Sequence, residues 1–236
     1  MLALLSYGPA GWGDELLAGA AMTLGVAITA YLLGVTLGAG LVAAQLASGR
    51  APRIAASLYV TVLRGVPPLL VIWMLFFGGS ATITGVARLA GYRGWIELSA
   101  FAVGVAAVAL VAAAYAAEAL RGAVQSVHKG QIEAARALGM PRWLLFRRIL
   151  APLALRHALP ALGNVWQATL KDTTLVSVTA LAELMRVAQV ASQSTRQPFL
   201  FYALAALFYL VMSSGSAALF RLAEQRAERG VRRTAG

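Results

Sequence analysis

Residues 130–152 read GQIEAARALGMPRWLLFRRILAP, a charged and strongly helical segment in a chain otherwise suited to an apolar medium. Gln131 to Leu138 contains good helix formers. Gly139 suits the left-handed residue that ends a helix, and Pro141 stands where the first turn of a new helix tolerates proline. The stretch predicts two short helices joined by a turn, at or below a membrane surface. Two physical accounts of it stay open. A basic amphipathic segment can rest on anionic headgroups, and a helix–glycine–helix elbow can dock into a groove on a partner. Composition by itself favours the headgroups.

The rest of the chain sets the medium. Hydrophobic residues make up 60% and charged residues 12%, with a mean hydropathy of +0.74, whereas soluble domains carry about a quarter charged residues. The chain reads as a membrane protein. Its net charge of +11 raises nucleic acid as a partner, but that requires a basic face on a soluble module. Cysteine is absent, which excludes disulfides, thiolate metal sites and a cysteine nucleophile. The start, MLALLSYGPAGWGDE, lacks a basic n-region and is broken by Gly and Pro, so the first span is expected to serve as its own insertion signal.

A helix needs roughly 20 apolar residues to cross the hydrocarbon core, and about five runs qualify. They predict an all-α polytopic protein, one domain over 1–236, with spans at about 16–47, 54–77, 97–120, 157–179 and 198–221 and a loop at about 128–152. The second run contains Arg64, then Gly65, Pro67 and Pro68, which should kink or break it. Lys171 and Asp172 interrupt the fourth. Gly34 and Gly38, at helical spacing, would let two helices approach closely. An N-terminus outside puts fourteen of the 20 Lys and Arg on one side, as the cytoplasmic excess of basic residues requires. The C-terminus is then cytoplasmic. Insertion accounts for the positive charge, and the nucleic-acid reading falls.

Glu133-Ala134-Ala135, with Gly139 and then Ile149 and Pro152, resembles the EAA loop of the membrane subunits of bacterial ATP-binding-cassette (ABC) importers. Ala151 stands where that pattern usually has Leu. YVTVLRGVPPLL (59–70), AAYAAEALRGAVQSVHKGQIEAARALG (113–139) and ALPALGNVWQATLKDTTLVSV (158–178) look like the polar amino-acid uptake subfamily. Trp166-Gln167 with Lys171, and VAQVASQSTRQPF (187–199), look most like histidine/lysine/arginine/ornithine and opine permeases. The resemblance implies a type I ABC importer fold in the bacterial inner membrane, with a cytoplasmic coupling helix. It implies pairing with a second similar or identical permease, a dimer of ATP-binding subunits and a substrate-binding protein. The substrate would be a polar, basic amino acid or an opine. ATP and Mg would bind the partner ATPase, with no cofactor on this chain. In agreement, no G-x-x-x-x-G-K-[ST] phosphate loop occurs in the sequence, so this chain is not expected to be an enzyme.

The resemblance places ATPase coupling on Glu133, Ala134, Ala135, Gly139, Met140 and Pro141. Glu133 could instead cap its own helix or pair with Arg136 three residues on. Candidates for a substrate path or gate are Arg64, Glu118, Lys171, Asp172, Thr173 and Thr174, since ionisable groups inside membrane segments are costly. Each has a plainer alternative. Glu118 can pair with Arg121, Arg64 can snorkel to the interface, and Lys171 and Asp172 can neutralise one another while Thr173, Thr174 and Ser177 satisfy freed backbone groups. His128 and His157 lie far apart and suggest no metal site. An ion-coupled secondary transporter with a midplane site is the alternative, disfavoured by five spans and no second homologous half. A membrane-embedded enzyme lacks any catalytic constellation.

Overall fold

The chain carries no charge between Glu15 and Arg50, and this run becomes one helix, α1 (Gly13–Leu46). Asp14 and Glu15 occupy its first turn, where negative charge complements the helix dipole. The computed structural model describes residues 4, 6–8, 11–94, 96–179 and 181–228; the tail arginines Arg229, Arg232 and Arg233 lie outside them. After α1 come α2 (Arg50–Gly65), α3 (Pro68–Leu89), α4 (Ala100–Ser126), α5 (Lys129–Ala137), α6 (Arg142–Leu145), α7 (Ala151–Asp172), α8 (Leu184–Thr195) and α9 (Pro198–Ala227). Among the described residues, four helices, α1, α3, α4 and α9, are long and apolar enough to cross a membrane. A fifth crossing is available if the helical run Arg142–Thr179 and α8, bent by 51°, count as one broken span.

Two expectations need correction. The span at 54–77 is not a single crossing helix: the break expected at its prolines falls at Val66 and Pro67, whose ψ angles of 133° and 132° are extended. Residues before proline are pushed out of the α region, and both positions precede one. The apolar helix starts at Pro68 and continues to Leu89, because the charge-free stretch runs on to Arg88. The severed part, α2, is amphipathic, with Ile54, Leu58 and Val62 exposed along one stripe. The second short helix of the elbow is likewise not separate. From Arg142 the chain runs through α6 and a π-helical stretch, Phe146–Leu150, directly into α7. In the π turn the Ala151 N–H donates to the Phe146 carbonyl. This wider turn immediately precedes Pro152, whose ring would otherwise crowd the carbonyl four residues back.

Helix α4 lies at the centre, with Val105, Ala107, Val108, Ala112, Ala116 and Ala117 buried. The close approach expected at Gly34 and Gly38 is present. A Cβ on Gly34 would lie 2.7 Å from the Ala112 Cβ, and one on Gly38 would lie 3.0 Å from both the Ala113 carbonyl oxygen and the Ala117 nitrogen. Small residues substitute for a hydrophobic drive that lipid cannot supply between helices. Helix α7 covers α4 through Ala158, Leu162 and Val165. Leu16 and Ala20 of α1 meet Leu184, Ala188 and Ala191 of α8 and Phe201 and Ala205 of α9.

This packing makes a direct prediction. Gly38→Val forces α1 off the α4 backbone, an overpacking cost of about 1–3 kcal/mol, and should lower the unfolding midpoint of the detergent-solubilised protein by several degrees. Gly40, where a Cβ meets nothing within 4 Å, is the control: Gly40→Ala should leave the midpoint unchanged or slightly raised.

Candidate functional site: an exposed elbow and two polar clusters

The elbow owes its shape to one residue. Helix α5 starts at His128, whose Nδ1 accepts from the Gly130 N–H at 3.2 Å, and ends where Gly139 adopts φ +75°. The Gly139 N–H donates to the Arg136 carbonyl at 2.9 Å, and the Met140 N–H to the Ala135 carbonyl at 3.1 Å. This pair of bonds is the Schellman closure, which needs a left-handed residue and therefore favours glycine. Pro141, extended at ψ 152°, starts the ascent into α6. Ala135 is buried under the elbow, while Glu133, Ala134, Gly139 and Pro141 face outward and Met140 is half-buried.

Glu133 does not pair with Arg136: among the described residues, no hydrogen bond or ion pair engages its side chain. A Cβ on Gly139 would meet nothing within 4 Å. The outward face also carries apolar groups that sequence reasoning passed over. Leu138 is 83% exposed and Trp143 67%, and the Trp143 ring stacks on Phe146 with centroids 6.0 Å apart. Large apolar residues in a polar loop are the signal that could have singled them out.

Two polar clusters hold the other candidates. Arg64, at the end of α2, donates to Glu118 of α4 at 3.1 Å and lies 5.7 Å from the Tyr115 ring centroid. Glu118 also pairs with Arg121, so the expected i,i+3 pair exists and a second guanidinium joins it. The other cluster sits where α7 narrows into a 3₁₀ segment, Thr173–Thr179. There the Thr173 hydroxyl donates to the Leu170 carbonyl at 2.7 Å and the Thr174 hydroxyl to the Lys171 carbonyl at 2.8 Å. Both satisfy helix-end carbonyls as expected. For Ser177 no such bond is found among the described residues, and Lys171 and Asp172 form no ion pair with each other. No hydrogen bond or ion pair among those residues links the two clusters. An apolar hollow of about 460 Å³ between α3 and α4, lined by Met74, Gly78, Thr82, Leu98 and Ala102 among others, holds no charge to greet a zwitterion.

The most deeply placed acid was not anticipated. Glu183 is 0% exposed and caps α8, accepting from the Met185 N–H at 3.0 Å and the Arg186 N–H at 2.7 Å. Thr23 of α1 and Tyr209 of α9 each donate to it at 3.3 Å. A lone acid between the apolar run ending at Ala182 and the next helix is the sequence signal for it.

A family model described as "binding-protein-dependent transport system inner membrane component" matches residues 34–229. The octopine transport system permease protein of Rhizobium meliloti is 50% identical over 232 residues, covering 98% of either chain. The histidine/lysine/arginine/ornithine transport system permease protein of Escherichia coli (strain K12) is 35% identical over 223 residues, 94% of this chain and 97% of its own. A crystal structure of an amino acid ABC transporter superposes with TM-score 0.80 at 32% identity, covering 91% of this chain and 95% of that one. A methionine ABC transporter with TM-score 0.66 at 18% identity shares the fold. The chain therefore belongs to the family of inner-membrane components of binding-protein-dependent transport systems.

Proposed function

We propose that this chain is the membrane permease of an importer that moves a polar, cationic amino acid or an opine into the cytoplasm by alternating access. Hydrolysis of ATP falls to a separate ATPase subunit, as in the systems to which the relatives belong, and the family assignment gives no support to an ion-coupled secondary transporter. The names of the relatives support the substrate class: octopine, nopaline and arginine permeases stand beside the histidine/lysine/arginine/ornithine permease. The excess of Lys and Arg on one side, fourteen of 20, supports an N-terminus outside and a C-terminus inside.

The observation that carries the mechanism is the outward face of the elbow. It presents an unpaired Glu133, an open Gly139 and exposed Leu138 and Trp143, a combination suited to a groove on a protein. We assign Glu133, Ala134, Gly139, Met140 and Pro141 to the ATPase contact, with the buried Ala135 packing behind them to hold the elbow. Approach of two ATPase subunits moves the elbow, and the continuous run through the π turn passes that motion into α7. On this reading Arg64 and Glu118 form a gate at the basic end of the path. Lys171, Asp172, Thr173 and Thr174 line its polar section. A second permease, similar or identical, completes the path, and a binding protein delivers the substrate.

Three experiments test this reading. Affinity-tagged chain should bring down a phosphate-loop ATPase, and uptake by the reconstituted complex should require ATP and persist with proton and sodium gradients collapsed; uptake that stops with either gradient would overturn it. Gly139→Val places a β-branched residue at positive φ, a strain of about 1–3 kcal/mol. Membrane insertion should be normal, while binding-protein-stimulated ATPase and uptake fall about tenfold. Normal transport by this variant would remove the coupling assignment. Glu118→Gln should weaken competition by arginine relative to glutamine in uptake assays, and an unchanged ratio would return Glu118 to a purely structural ion pair.

A further inference from the structure

The bend between α7 and α8 looks like a hinge, because a helix that breaks beside polar residues is a common place for movement. The side chains around it argue otherwise. Tyr209, Ser213 and Ser216 of α9 are spaced i, i+4, i+7 and so share one face. Below the break, Gln167 of α7 donates to the Ser213 carbonyl at 3.0 Å and to the Ser216 hydroxyl at 3.3 Å, and the Ser213 hydroxyl returns a bond to the Gln167 amide oxygen at 2.5 Å. Above it, Tyr209 donates to Glu183 at 3.3 Å. The same Tyr209 hydroxyl lies 3.3 Å from the Thr173 hydroxyl, where the 3₁₀ segment begins.

One stripe of α9 thus grips both arms of the broken helix. The upper arm has a second tie, to α1: the Leu184 N–H donates to Thr23 at 3.1 Å while Thr23 donates to Glu183. At that point a Cβ on Gly19 would lie 3.0 Å from the Leu184 Cα. Swinging α8 relative to α7 would strip the buried Glu183, Thr23 and Thr173 of partners where neither water nor lipid replaces them, and would pull on the half-buried Gln167–Ser213/Ser216 bonds. The break at Val66 and Pro67 differs: among the described residues no side-chain hydrogen bond joins α2 to α3.

We propose that the Gln167–Ser213/Ser216 and Glu183–Tyr209 clamps make α9 a splint that fixes the bend, so that α7, α8 and α9 move as one body during transport. Gln167 and Tyr209 are positioning residues: they carry the displacement of the elbow to the far end of the broken helix. This role rests on the importer reading, and its test separates the two.

The sequence has no cysteine, so spin labels can be placed singly at His157→Cys on α7 and Gln193→Cys on α8, both exposed. The assembled importer, with ATPase and binding protein, is compared nucleotide-free and vanadate-trapped. The label distance should be the same in both states. Tyr209→Phe, which removes only a hydroxyl, should broaden that distance and lower substrate moved per ATP roughly fivefold, the weight of about one hydrogen bond, with stimulated ATPase retained. The pair Ser213→Ala with Ser216→Ala should do the same, and serves if Tyr209→Phe fails to assemble. A distance that shifts on trapping would make the bend a hinge and overturn the proposal. So would variants that lose only thermal stability while moving substrate per ATP as the parent does. Absence of vanadate-trappable nucleotide would sink the importer reading itself, before any distance is measured, and the transport role of the splint with it.

Discussion

A polar group carried into an apolar helix is costly unless it is paired inside the protein, because hydrocarbon offers no partner. Most of the internal side-chain polar groups follow that constraint; the buried Trp166 indole N–H and Gln45 amide oxygen are exceptions among the described residues. Tyr59 reaches the Leu110 carbonyl at 2.8 Å, Tyr31 the Leu162 carbonyl at 3.2 Å, and Thr169 the carbonyl one turn behind it at 2.8 Å. Where the helix hydrogen-bond pattern is interrupted, side chains close it: Thr173 and Thr174 at the end of α7, Glu183 at the start of α8. The residues that close the fourth span's interruption are thus Thr173, Thr174 and Glu183, beyond the Lys171 and Asp172 that marked it in the sequence. They make a break possible at a depth where an open backbone could not survive.

The same constraint sorts the charges. The arginines of residues 130–152 stay exposed, and none takes part in an ion pair among the described residues. Their role is compatible with topology alone. The distinctive chemistry of that segment is apolar and conformational, in Leu138, Trp143 and the left-handed Gly139. Glu118 belongs to the opposite class, since it engages guanidinium groups on two helices. Partly exposed, that triad stabilises little by itself, but it ties the severed amphipathic α2 to the central α4.

What the sequence made legible was local. A Schellman end requires φ above zero and so announces itself as glycine after a helical run, and consecutive prolines announce a break wherever they fall. The extent of the broken pieces was not legible from hydropathy, which counts apolar residues without asking whether one helix joins them; that is why 54–77 divided and α3 ran on to Leu89. Helix propensity also does not distinguish an α turn from the π turn before Pro152, so a single continuous run read as two helices. Glu183 was hidden for a different reason. Its partner Thr23 is 160 positions away and Tyr209 26, and nothing in either neighbourhood reports the meeting. Arg64 and Glu118 were both visible as candidates, yet their pairing across 54 positions appears only once α2 is folded against α4.

The two interrupted helices differ in what fills the gap, and that difference carries mechanical meaning. At Val66 and Pro67 the interruption is made by steric exclusion: proline removes a donor and bars the α conformation, but supplies no new bond to fix an angle. At Thr173–Glu183 it is held by polar groups, of which Thr173, Thr174 and Glu183 find partners on α1, on α9 or within their own turn. A break made by exclusion leaves the angle between its arms to the surrounding packing. One made by pairing sets the angle, because moving either arm unpairs groups where solvent cannot replace them. Under the proposed coupling role, motion entering through the elbow would meet a stiff path along α7, α8 and α9 and a compliant one between α2 and α3.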